Sequence, residues 1–382
     1  MVEVSKPGGL SRRDLFKALM AGLGASALGV PRLAMAATPA ACDLHIIFAY
    51  FRGGWDLLLG LDPRDPRRFH DGNAGLTGIR PAYHLISGAD RPIAPVQTRS
   101  GLMLGPCAAP LARHDDRLAV IRGLHMETLV HEAALYRFVT GRRWWGGQGR
   151  NASLASLLAR KLAQGEPMPH LSIGIEQNGA DAGQVRRAAD LPAAMRLTSQ
   201  QVAGFDAGSL SARAAAAVQA VTSGSSRVVT VEVARGLDTH GEDWRSQHFT
   251  RLTRGFAAVA EMADRLAAKP RSEPGDGSWL DHTLIFGFSE LGRSPLLNAE
   301  GGRDHHLANA CFLLGGSVAG GQALGATSDR GMEALAVDLA SGRPDAAGRL
   351  LRPEHVLQTL LQRAGCQESA NLGVPPLGAV FA

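Results

Sequence analysis

Residues 43–56 read DLHIIFAYFRGGWD, and this stretch decides the fold. Leu44, Ile46, Ile47, Phe48 and Tyr50 form a nearly continuous apolar run rather than an apolar–polar alternation. Such a run marks a strand buried on both faces, and therefore a mostly parallel sheet covered by helices above and below. Working outward, further strands are expected over residues 118–121, 228–233, 283–288 and 311–314. Helical periodicity is expected over residues 132–140, 152–162, 211–221, 244–267 and 355–363. Strands alternating with helices define an α/β chain folded as a three-layer α/β/α sandwich. Residues 62–106 read as a long loop, and 269–277 as a surface loop rather than a linker.

Composition sets the outer limits. The 382 residues are 45% apolar, 20% charged and 5% aromatic, which excludes disordered, collagen-like and coiled-coil chains. The 46 glycines suit strand–loop–helix alternation better than a helix bundle. Beyond the N-terminal region no apolar stretch is long enough for a transmembrane segment.

Residues 11–17, SRRDLFK, precede a Gly/Ala-rich apolar run over 18–30 and then Ala34-Met35-Ala36. An arginine pair ahead of a weakly hydrophobic segment and small residues at a cleavage site resembles a twin-arginine (Tat) signal peptide. The resemblance implies a signal over residues 1–36, the Tat machinery and a signal peptidase as partners, and a periplasmic or secreted protein. Residues 37–382 then form a single domain. The segment 1–36 holds five basic and two acidic residues, so setting it aside reduces the formal charge from +5 to +2. The remaining basic residues are scattered, and no nucleic-acid partner is expected. Cys42, Cys107, Cys311 and Cys366 permit two disulfides or four reduced thiols, since an exported chain that folds beforehand allows either. Asn151-Ala152-Ser153 matches a glycosylation triplet, discounted in the setting a Tat signal implies.

In parallel α/β sheets ligands gather beyond the carboxyl ends of the strands, and four segments there carry chemistry. Gly53-Gly54-Trp55-Asp56 turns sharply and presents Asp56 at the rim. Asp238-Thr239-His240 offers a carboxylate and an imidazole within three residues, the donors of an oxygen/nitrogen metal site. In Ser289-Glu290-Leu291-Gly292-Arg293, Glu290 is a ligand or base and Arg293 a bidentate anion holder. Arg303-Asp304-His305-His306 adds Asp304 and two adjacent imidazoles that point in different directions, so one of the two ligates. His131 opens the helix over 132–140, where a helix N-terminus favours an anion. The Gly53-Gly54 pair lacks a GxGxxG context, so a dinucleotide-binding oxidoreductase is excluded.

The Tat-like signal, RGGWD, the His-led helix ending in Thr140-Gly141, Asp-Thr-His-Gly at 238–241, SELGRS at 289–294 and GGRDHH at 301–306 together resemble the exported family called domain of unknown function 1501, over roughly residues 43–366. That resemblance implies an alkaline phosphatase/sulfatase-like fold with a metal site at the strand ends. It implies a metal set of Asp56, Asp238, His240, Asp304 and one of His305 or His306, with His131, Glu290 and Arg293 as catalytic candidates. His131 stands where that superfamily carries a hydroxyl or thiol nucleophile, and Leu291 where it carries a histidine ligand. The set implies a divalent ion (Zn²⁺, Mn²⁺, Mg²⁺ or Ca²⁺) and a metal-dependent hydrolase of phosphate or sulfate esters, acting on a small-molecule or glycan ester. The alternative is a non-catalytic periplasmic binding or scaffold protein of the same fold.

Overall fold

A computed structural model of the chain describes residues 43–86, 93–144, 151–163, 165–174, 209–271, 275–366 and 371–381, and the backbone of 185–187. The signal-like segment and Cys42 lie outside these residues.

Eight strands form the central sheet: β1 His45–Phe51, β2 Leu118–His125, β3 His170–Ile173, β4 Val185–Arg187, β5 Val228–Ala234, β6 Thr283–Phe288, β7 Ala308–Gly315 and β8 Gln322–Leu324. Their order is β8-β2-β7-β6-β1-β5-β3-β4. β1 pairs in parallel with both β5 and β6, β3 with β5 and β4, and β8 with β2. Only β7 is reversed, antiparallel to β2 and β6. The reversal brings the amino end of β7 to the same sheet edge as the carboxyl ends of β1, β2, β5 and β6. Every segment singled out in the sequence therefore reaches one edge.

Apart from the single turn Ala74–Thr77, the α-helices of the described residues are α1 His131–Thr140, α2 Leu154–Leu162, α3 Leu210–Thr222, α4 Gln247–Ala267 and α5 Pro353–Arg363. Side chains of β1 alternate between two cores, which explains the unbroken apolar run. Ile47, Ala49 and Phe51 pack with α3, α4 and the 3₁₀ stretch Pro106–Arg117. Leu44, Ile46, Phe48 and Tyr50 pack with α1, α2 and α5. The three-layer sandwich expected from the sequence is thus the architecture observed. On α4, Leu252, Phe256, Val259, Ala263 and Leu266 repeat at helical spacing and are fully buried, the stripe that docks a surface helix.

Several boundaries differ from the sequence reading. The strands expected over 118–121 and 311–314 run Leu118–His125 and Ala308–Gly315, and the helices expected from 152, 211 and 355 begin at Leu154, Leu210 and Pro353. The helix expected from residue 244 begins at Gln247, after a separate 3₁₀ turn over Glu242–Arg245. Trp244 is held in that turn because its indole Nε1 donates to Asp56 Oδ2 at 2.7 Å. α1 begins one residue earlier than expected, at His131. The short strands β3, β4 and β8 gave no recognisable period.

Cys107, Cys311 and Cys366 are buried thiols outside any disulfide, so two disulfides do not form. Burial raises all three thiols above the usual range. A thiol reagent is expected to leave these three untouched in the native protein and to modify them after denaturation, with no effect of reductant on the melting temperature. A native disulfide found by mass spectrometry would contradict this.

Candidate metal centre

Local geometry decides which sequence candidates meet. His305–His306 pairs antiparallel with Gly292–Arg293, His305 opposite Arg293 and His306 opposite Gly292. Adjacent strand residues point to opposite faces. His305 therefore turns toward the loops, while His306 Nδ1 accepts from Ala308 N at 3.1 Å. Burial lowers His306, and it plays no part in the cluster. Asp238 and His240 are two apart and share a side, whereas Thr239 turns inward. Ahead of α1, Glu127 is in a left-handed conformation (φ 57°) and pairs with Arg137, Arg143 and Arg352. Arg137 also bonds Glu354, tying α1 to α5.

The centre is built around one oxygen. Asp238 Oδ1 lies 3.0 Å from His240 Nε2, 3.2 Å from His305 Nε2, 3.3 Å from His131 Nε2 and 2.6 Å from Arg293 Nη2. His131, Asp238 and His305 each place one ligand atom within 4.8 Å of the others. Burial alone would raise Asp238, but the bond and charge of Arg293 override it and hold the carboxyl well below the usual range.

Each histidine is oriented from behind. His131 Nδ1 meets Glu290 Oε1 at 2.9 Å, His305 Nδ1 meets the Leu129 carbonyl at 2.7 Å, and His240 Nδ1 meets Asp304 Oδ1 at 2.8 Å. A carbonyl or carboxylate on Nδ1 draws the proton there and leaves the Nε2 lone pair facing inward, the arrangement of metal-ligating histidines. Arg293 Nη1 faces His240 Nε2 at 3.2 Å. Because arginine only donates, that Nε2 is an acceptor. Nε2 lone pairs that face a carboxylate oxygen leave acceptor positions open beyond those that Arg293 fills at Asp238 and His240. Consistent with this, His131 Nε2 is buried without a hydrogen-bond partner. The donor set of two imidazoles and a carboxylate, with His240 beside them, fits a divalent metal ion. The hydrogen bond and charge of Glu290, with Asp238, raise His131. Burial lowers His305, and the bond from His240 lowers Asp304.

Four expected site residues serve other ends. Asp56 does not join the cluster: its buried carboxylate takes Trp244 Nε1, pairs with Arg303 Nε at 2.8 Å and accepts from Leu59 N at 3.0 Å. Arg293 does not present a free fork for an anion. Beyond Asp238, it donates to the carbonyls of Gly53, Gly54, Leu237 and Arg303. Asp304 orients His240 rather than joining the three-ligand group. Glu290 is buried, accepting from Gly53 N at 2.8 Å as well as facing His131. Its position is that of an orienting group.

Residues that gave no sequence signal hold the loops in register. His248 accepts from Asp56 N at 3.2 Å and meets Thr239 Oγ1 at 2.8 Å. Asn309 takes Trp55 Nε1 at 2.8 Å and donates to the Ser289 carbonyl. Gly53 has φ 111°, and a Cβ there would lie 2.6 Å from Asp238 N. This glycine is needed for close approach as well as for turning. A cavity of about 270 Å³ lies elsewhere, lined by Asp62–Asp65, Arg68, Arg122 and Thr327 among others, without any cluster residue.

The sequence matches the family model described as protein of unknown function (DUF1501) over residues 172–340, a span that holds Asp238 and His305 but begins after His131. No curated protein matches the chain. In structure it is similar to a protein in the alkaline phosphatase superfamily from Vibrio parahaemolyticus, at 10% identity and TM-score 0.42, over 88% of this chain and 71% of that one. It is similar also to the lipoteichoic acid synthase LtaP from Listeria monocytogenes (9%, TM-score 0.42, 89% and 75%). A 2-O GAG sulfatase aligns at 11% identity and TM-score 0.44, over 89% and 73%.

Two measurements test these assignments. Asp56→Ala strands the buried Arg303 guanidinium and is expected to cost about 3–5 kcal/mol in denaturant unfolding without changing the metal content of the folded protein. Burial pushes His248 down to about 4, and protonating its Nε2 would oppose it to the Asp56 N–H. The unfolded chain therefore takes up this proton first. The resulting stability is complete above about pH 6.5 and is lost as pH falls toward 4, by up to about 3 kcal/mol. Melting curves between pH 8 and 4 should flatten in His248→Gln; an unchanged slope would remove the assignment.

Proposed function

We propose that the protein is an exported, metal-dependent hydrolase of phosphate or sulfate esters. The observation that carries this reading is the convergence of His131, His305 and Asp238, flanked by His240, on one point that opens to solvent. The side chains of Asp238 and His240 are 47% and 44% exposed, while His131 and His305 are more enclosed. Structural metal sites are closed by protein, and catalytic ones keep a position for water or substrate. A divalent ion held here supplies Lewis acidity, which lowers the pKa of a water molecule and polarises an ester oxygen. Glu290 and Asp304 fix the tautomers of His131 and His240, and Arg293 fixes Asp238. Imidazole donors favour Zn²⁺ or another transition ion over Mg²⁺ or Ca²⁺. Export rests on the Tat-like segment. Among the described residues no helix is long and apolar enough to cross a membrane.

A second reading, a non-catalytic binding protein, draws on the commitment of Arg293 to backbone carbonyls, which removes the anion holder the sequence offered. One experiment separates the two. The purified protein is expected to retain about one equivalent of transition metal after dialysis and to hydrolyse para-nitrophenyl phosphate or sulfate. Asp238→Ala and His305→Ala should lose both, and Asp304→Asn should weaken metal binding about 10–100-fold. A folded wild-type protein that binds no metal overturns the hydrolase reading; a metal-loaded protein inert across ester panels favours the second.

A further inference from the structure

Next to the metal loops, one buried carboxylate is shared by three arginines. Glu232 on β5 is fully buried. Arg213 Nη1 reaches its Oε1 at 3.0 Å, Arg235 Nε at 2.6 Å, and Arg52 Nε reaches Oε2 at 2.9 Å. Arg213 is buried beneath, but the side chains of Arg52 and Arg235 are 46% and 59% exposed. Neither has another acidic partner among the described residues.

The sheet sets these two side by side. Phe51 and Ala234 are register partners at the ends of the parallel strands β1 and β5. Arg52 and Arg235 are the residues that follow, and Arg52 N donates to the Ala234 carbonyl at 2.9 Å. Adjacent strands lie about 4.8 Å apart, so both guanidinium stems leave the same spot. Glu232 Oε1 accepts from Arg235 Nε, Arg52 Nε stands in ion-pair contact with Oε2, and the Tyr50 ring lies 5.9 Å from the Arg52 guanidinium carbon. Both terminal nitrogens of Arg52 and Nη1 of Arg235 make no hydrogen bond among the described residues. The forks are therefore oriented, with open donors.

These residues also border the metal centre. Gly53, after Arg52, donates to the Glu290 oxygen that orients His131. Asp238 follows Arg235 by three positions. Tyr50 and Glu232, register partners on β1 and β5, project to the α1 side of the sheet, the side from which His131 enters. A surface guanidinium pair with one buried counter-charge is a bidentate receptor for a sulfate, phosphate or carboxylate.

We propose that Arg52 and Arg235 form a subsite for a second anionic group of the substrate, so that the ester cleaved carries at least two negatively charged groups. The substrate role rests on the hydrolase reading above; the anion site itself does not. Calorimetric titration of wild-type protein with inorganic sulfate and with pyrophosphate, at low ionic strength, is compared with Arg52→Gln, Arg235→Gln and the double variant. Affinity is expected to fall about tenfold per arginine removed, with metal content retained. Arg213 still pairs with Glu232 in the double variant, which melts at a lower temperature but is folded at the temperature of titration. KM should rise more for a bis-phosphorylated ester than for para-nitrophenyl phosphate. Equal anion affinity in wild type and double variant overturns the subsite, whatever the metal content. Loss of affinity in the variants, in a protein without metal or turnover, upholds the anion site while the hydrolase reading fails. If sulfate binding instead disappears with Asp238→Ala and survives in the double variant, the anion sits at the metal centre and the inference is wrong.

Discussion

The loops that carry the candidate ligands run beyond the central sheet, and the guanidinium of Arg293 ties them together. It is fully enclosed and donates to carbonyls from the RGGWD turn, the segment before Asp238 and the loop before His305. Burying this charge would be costly without compensation; here carbonyl dipoles from three loops and the Asp238 carboxylate supply it. Five donors in a rigid plane suit that task, and a lysine could not replace them. Removing the side chain would leave several buried carbonyls unpaired and Asp238 unanchored. The geometry of the whole centre follows from this one contact set.

On that frame the histidines are set by what lies behind them. Glu290, Asp304 and the Leu129 carbonyl each occupy an Nδ1 position, so the inward nitrogens are acceptors gathered around a carboxylate oxygen. Arg293 sets one positive charge against this group, and the donors of His131, Asp238 and His305 fit a divalent ion beside it. The same sheet edge carries the Glu232 arginine group, so an electron-donor cluster and a cationic patch stand side by side. Such a pairing suits recognition of an anionic molecule by two of its groups at once.

Legibility in the sequence varied with the range of the interaction. The strand at 43–51 and the long helix following Trp244 were readable because their burial is written in local periodicity. Asp238 and His240 were readable as a donor pair because they sit two apart after a strand. The choice of His305 over His306 was not, since it depends on which residue of a two-residue ladder faces Arg293. Asp56 and Arg293 carried the right chemistry for a site, yet each is consumed by partners distant in the chain, Arg303 and Trp244 in one case, backbone carbonyls in the other. Glu232 with Arg52 and Arg235 gave no signal, because their grouping exists only through the parallel register of β1 and β5.

The sequence by itself determined the layered α/β architecture and the set of acids and imidazoles delivered to strand ends, because hydrophobic period and side-chain chemistry are local properties. Tertiary structure alone decided which of those groups face one another and which are neutralised in the interior. Side-chain direction, burial and hydrogen-bond commitment depend on sheet order and on the reversal of β7, and no short segment encodes these.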